Sequence, residues 1–178
     1  MRPAFYGIIL ISLLSIIAAG CSPKTTGGKT FQKPNLDISG ADIAEEGNHS
    51  LAIETGYNGA LLAGSATTPF LDFNVEDYNR ALQENKKIVL NFHANWCNIC
   101  KAQQFHYFAA FNGLNDPDLV GFRVNFKDSE TSNDEEELAK QFGISYQHTM
   151  VIIKGGKRVF KSPEALDKDQ ILEAIKKA

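Results

Sequence analysis

Two cysteines separated by two residues, Cys97-Asn98-Ile99-Cys100, are the part of this sequence best suited to chemistry. That spacing brings both sulfurs within disulfide reach on a single helical turn. A cysteine at a helix start also meets unpaired N–H groups and the positive end of the helix dipole, which favour a thiolate. Such a thiolate attacks a partner's disulfide, and the second cysteine then resolves the mixed disulfide. On this reading Cys97 is the nucleophile and Cys100 the resolving cysteine. A structural disulfide and a pair of metal ligands are the alternatives that the spacing leaves open.

The rest of the composition narrows the setting. The chain has 178 residues, a formal charge of −3, 43% hydrophobic and 22% charged residues, and three cysteines in all. This is enough for one packed domain and an appendage. The mild acidity argues against a nucleic-acid binder. Three cysteines are too few for a disulfide-stapled mini-protein or for a four-cysteine zinc site.

To work as described, the pair needs a strand before it and a helix after it, and the sequence supplies both. Lys87–His93, KIVLNFH, reads as a buried strand. A helix is expected from Cys97 to Phe111, with Ile99, Ala102, Phe105 and Ala109 at helical spacing. Around these, Pro69–Phe73 reads as a strand, and Asn74 caps a helix over Val75–Asn85 with Tyr78 and Leu82 on one face. Gly121–Phe126 alternates as a strand, and Asp134–Phe142 is a helix ended by Gly143. Strands at 149–154 and 157–161 pair through Gly155-Gly156, and Asp167, with Gln170 three residues on, caps a last helix that turns Ile171, Leu172 and Ile175 inward. This alternation predicts an α/β sandwich with a mixed sheet. Two other motifs fail. Gly28-Lys29-Thr30 has Pro23 where a phosphate-binding loop needs its first glycine, and a calcium loop over 128–139 lacks its central glycine and final glutamate.

The stretch Val89–Lys101, with Trp96-Cys97-Asn98-Ile99-Cys100 after a strand and at a helix start, resembles the thioredoxin superfamily. Phe142-Gly143-Ile144, the hairpin and the final helix follow in family order, so the resemblance covers about residues 68–178. The Cys-x-x-Cys-Lys with its long aromatic-rich helix is most similar to the C-terminal domain of DsbD-type thiol reductases. The resemblance implies a thioredoxin fold, with a central mixed sheet flanked by helices on both faces. It also implies thiol-disulfide oxidoreductase activity without a cofactor, in a site where Trp96, Asn98, Ile99, His148 and Thr149 neighbour the catalytic Cys97 and Cys100.

Two departures from that family are expected to matter. His148 stands where the family has a cis-proline facing the cysteines, so a trans Gln147–His148 peptide becomes plausible on energetic grounds. Asn91 stands where the family has a buried acid, and asparagine takes up no proton at neutral pH. His148 or His93 could accept the proton instead, whereas His106 is expected on the surface. Asn98-Ile99 also lacks the histidine that stabilises the thiolate of strongly oxidising members, which favours a reductant or isomerase. Cys97, Cys100 and His148 would equally serve a metal-binding module or metallochaperone, the main alternative function. A non-catalytic adaptor of the same fold is a third reading.

The N-terminus carries an address. Arg2 precedes an apolar run from Ala4 to Ala19, short for a bilayer span of about 20 residues and suited to a signal peptide. Ala18-Ala19-Gly20-Cys21 resembles a bacterial lipobox, which implies cleavage before Cys21 and lipidation of that cysteine. The expected organisation is a lipoprotein signal peptide at 1–20, a largely flexible tether at 21–65, whose more apolar end at 51–65 could pack on the domain, and the domain at 66–178. The implied location is the bacterial cell envelope, lipid-anchored and outside the cytoplasm. The implied partners are exported protein thiols and disulfides, an unidentified redox partner and the membrane, with no nucleic acid, and the implied state is a monomer.

Overall fold

The computed structural model of the protein describes residues 54–178. The expected signal peptide, Cys21 and most of the expected tether lie outside the described residues. The elements run β1 (Leu61–Gly64), β2 (Pro69–Asp72), α1 (Val75–Gln83), β3 (Lys87–His93), α2 (Asn98–Phe111), β4 (Leu119–Asn125), α3 (Asn133–Gln141), β5 (Met150–Lys154), β6 (Lys157–Ser162) and α4 (Lys168–Lys177).

Local chemistry explains most boundaries. The Asn74 side chain accepts from the Glu76 and Asp77 amides, which starts α1. Asp167 and Gln170 form the expected reciprocal capping box of α4. A second box, not expected from the acidic start alone, begins α3, where Ser132 and Glu135 satisfy each other's backbone N–H.

The six strands form one mixed sheet in the order β1-β2-β4-β3-β5-β6. Strands β2, β4 and β3 are parallel, while β1, β5 and β6 pair antiparallel to their neighbours. Helices α1 and α3 contribute Tyr78, Ala81, Leu138 and Ala139 to a core over one face, against Ile88, Leu90, Phe92, Phe122 and Val124. Helices α2 and α4 contribute Tyr107, Ala110, Phe111, Ile171 and Ile175 to the other, against Phe70, Val89, Met150 and Ile152. This is the expected sandwich, with the parallel strands buried on both faces. Gly121 on β4 is required by it: a Cβ there would run into the rings of Phe70 and Phe111, which pack at a tilt against each other over that point.

Two expectations need correction. The segment expected as the end of the tether supplies β1, which adds an edge strand through a bulged pairing with β2, so the sheet begins before residue 66. A four-residue edge strand gives little alternation to read. The helical spacing in α2 also misled: Ile99 and Phe105 are 53% and 70% exposed, Ala102 and Ala109 are exposed, and the buried positions are Cys100, Gln103, Tyr107, Ala110 and Phe111. The inward stripe of α2 thus includes Cys100 and the polar Gln103 before it reaches the apolar core at Tyr107, Ala110 and Phe111.

Candidate active site

Strand β3 ends at His93, and the chain turns through Ala94–Trp96 before α2 begins. The turn is closed by the Cys97 amide donating to the Ala94 carbonyl at 3.1 Å. It is fixed from outside by the segment after β4. The Asn95 amide donates to Asp128 Oδ2 at 2.8 Å, and Trp96 Nε1 donates to the Lys127 carbonyl at 3.0 Å. Burial works to raise Asp128, but hydrogen bonds from the Asn95 amide, Thr131 and the Glu130 amide outweigh it and hold its carboxyl below the ordinary range. Asp128 therefore stays ionised and keeps the turn pinned at neutral pH.

Cys97 is the N-cap of α2, and its Sγ accepts from the Cys100 amide at 3.1 Å. The sulfur thus occupies the position where a capping oxygen would satisfy the helix start. Cys97 and Cys100 are joined as a disulfide with Cα atoms 5.2 Å apart. Cys97 is 7% exposed and Cys100 2%, so the first sulfur is the more accessible. Trp96, Asn98 and Ile99 are exposed around them, so the large apolar side chains of Trp96 and Ile99 flank the disulfide.

The turn before β5 brings the remaining residues to the pair. Phe92 on β3 donates its amide to the Thr149 carbonyl at 2.9 Å, which seats Thr149 beside the end of β3. Thr149 is buried, and its hydroxyl donates to the Tyr146 carbonyl at 2.7 Å, closing the turn that presents His148. His148 takes φ of 55°, and no cis peptide occurs among the described residues. The chain thus passes the disulfide on a left-handed histidine, a conformation that histidine adopts more readily than most residues. A ligand atom of His148 and both sulfurs all lie within 4.8 Å of one another, the proximity expected from the sequence position. His106 is exposed, also as expected.

Behind the disulfide lies a polar layer that sequence reasoning resolved only at Asn91 and His93. Asn91 pairs in register with Arg123 of β4, which pairs with Asp72 of β2. The Arg123 guanidinium binds Asp72 Oδ1 through Nε at 2.8 Å and donates to Gln104 Oε1 at 3.2 Å. Asn91, Gln103 and Tyr107 are buried, and Asn91 Oδ1, both Gln103 amide atoms and the Tyr107 hydroxyl have no protein partner among the described residues. Burial, and secondarily the Arg123 charge, holds His93 below its ordinary value, against the opposing pull of Asp128, Glu130 and Asp72. The signal that could have revealed this layer is the cross-strand register, which a single sequence does not print.

Comparisons with known proteins agree with this geometry. The family model described as thioredoxin matches residues 69–177. A Streptomyces coelicolor protein described as a thioredoxin is 31% identical over 111 residues, covering 62% of this chain and 77% of that protein. Thioredoxin H2 of Arabidopsis thaliana is 27% identical over 100 residues, covering 56% and 68%. In fold, the chain is similar to the crystal structure of Trxlp from Edwardsiella tarda, with a TM-score of 0.50 at 22% identity over 58% of this chain and 95% of that one. A buried strand feeding a Cys-x-x-Cys at a helix start, within the sheet order seen here, places the chain in the thioredoxin family, as a thiol-disulfide oxidoreductase built around the Cys97–Cys100 pair.

Proposed function

We propose that this protein is a lipid-anchored oxidoreductase of the bacterial cell envelope that reduces or isomerises disulfides in exported proteins, acting as a monomer. The observation that carries the chemistry is the Cys97 sulfur at the N-cap of α2, accepting the Cys100 amide and the less buried of the pair. In the reduced protein the Cys97 thiolate attacks a substrate disulfide, and one substrate sulfur leaves as a thiolate. The Cys100 thiol then loses its proton and attacks Cys97 Sγ. The second substrate thiolate departs, and the Cys97–Cys100 disulfide holds the two electrons' worth of oxidation. A dithiol partner resets it. Asn91 cannot take the Cys100 proton, and the proximity of His148 supports it as the acceptor.

The absence of charge at Asn98-Ile99 supports a reducing bias, as does the similarity to DsbD-type thiol reductases. The exposed Trp96 and Ile99 suit docking of a protein substrate. The N-terminal apolar run and Cys21 support the envelope location. No helix among the described residues is long and apolar enough to cross a membrane.

Two variants test the chemistry. Cys100→Ser should accumulate mixed disulfides with substrate proteins, while Cys97→Ser should form none. The reverse pattern would overturn the assignment. For location, the wild type should enter the detergent phase on phase separation and Cys21→Ser should stay aqueous; a wild-type chain found wholly in the aqueous phase would overturn the anchor.

A further inference from the structure

Reduction of the disulfide leaves two thiols and an imidazole converging on one point, and we propose that the reduced protein binds a zinc ion there through Cys97, Cys100 and His148. Three features of the structure carry this. First, a ligand atom from each residue lies within 4.8 Å of the other two. Ligand atoms around a tetrahedral zinc stand about 3.5–3.8 Å apart, given Zn–S near 2.3 Å and Zn–N near 2.0 Å. Breaking the S–S bond lets the sulfurs separate towards that spacing, so the imidazole needs to close on them by about 1.3 Å at most. Second, His148 Nδ1 is buried with no hydrogen-bond partner among the described residues, so no protein hydrogen bond engages that nitrogen. Third, the histidine is held on a backbone of positive φ by the Thr149–Tyr146 closure and the Phe92–Thr149 hydrogen bond, which fixes the ligand before metal arrives.

The donor set selects the ion. Two thiolates and one imidazole are borderline-soft and suit zinc, leaving a fourth position for water or a substrate group. Both sulfurs bind as thiolates, so binding releases to solvent the Cys100 proton and any proton that Cys97 still carries, and gives a site with no net charge. The disulfide form lacks thiolates and does not bind, so occupancy follows the redox state. A dithiol reductant supplies the two electrons that open the site and is itself oxidised to a disulfide. Bound zinc in turn occupies the nucleophile and holds exchange off until a chelating or thiol partner removes it.

The test titrates the full chain with zinc against a chromophoric chelator, reduced and oxidised, with excess reductant removed. The reduced wild type should take up one zinc per chain beyond whatever the oxidised chain takes up. Zinc should also slow alkylation of Cys97 at least tenfold. His148→Asn and His148→Gly both keep a left-handed backbone available and remove the imidazole, so neither should unfold the turn. Each should weaken zinc binding at least tenfold while alkylation without zinc still modifies both Cys97 and Cys100. Equal zinc uptake by reduced and oxidised wild type, or undiminished affinity in both His148 variants, would overturn the proposal. A failure of zinc binding would leave the mixed-disulfide test of Cys97 and Cys100 untouched, so the two readings fail separately.

Discussion

Alternate residues of β3 point to opposite faces of the sheet and meet opposite environments. Ile88, Leu90 and Phe92 enter an apolar core beneath α1 and α3. Val89 starts the other face in the same manner, but Asn91 and His93 continue it as a buried polar row beneath α2, beside Arg123, Gln103 and Tyr107. One strand thus builds a scaffold with one side and the floor of a redox site with the other. Burying polar atoms without partners opposes stability, so their concentration behind the disulfide marks where the fold departs from packing alone.

Substitutions on the two faces of β3 should have unequal costs. The largest expected effect is at Phe92, fully buried on the scaffold face and in edge contact with Phe126. Phe92→Ala should cost about 3–5 kcal/mol in denaturant unfolding. Gly121→Ala should cost about 1–3 kcal/mol, because the added methyl meets two packed aromatic rings. Asn91→Leu, one residue from Phe92, should stay within about 1 kcal/mol of wild type, since its amide oxygen gives up no protein partner. A loss as large as that of Phe92→Ala would make the polar row part of the structural core.

The fold was legible in the sequence wherever its causes are local. Asn74, Asp167 with Gln170, and the Gly155-Gly156 turn each announce an element by side chains within a few residues of it. The cysteine pair was legible from its spacing, and His148 from the resemblance to the thioredoxin family, in which that position faces the cysteines. The inward face of α2 was not, because Ile99 and Phe105 are apolar yet exposed, while Gln103 is polar yet buried. The supports of the site were not legible either. Asp128 and Lys127 hold a turn more than thirty residues away, and in each bond one partner is a backbone group, the Asn95 amide or the Lys127 carbonyl, that carries no residue signature.

The smallest effect sharpens the comparison through pH. His93 is held below its ordinary value of 6.5 by burial and by Arg123, against Asp128, Glu130 and Asp72. The unfolded chain therefore binds the proton more readily, and stability should fall as pH drops through the window just below 6.5. His93→Gln should flatten that part of the stability curve; an unchanged slope would assign the dependence elsewhere.

The central claim is that Cys97 and Cys100 are an exchanging pair poised towards reduction. Equilibrating the full chain in thiol redox buffers with metal excluded, then quenching and counting alkylated cysteines, measures it directly. The account predicts a single two-electron transition of Cys97 with Cys100, at or below about −180 mV, the range of isomerases and thioredoxins. A transition near the −120 mV of strong oxidants, or two cysteines that never pair, would contradict it.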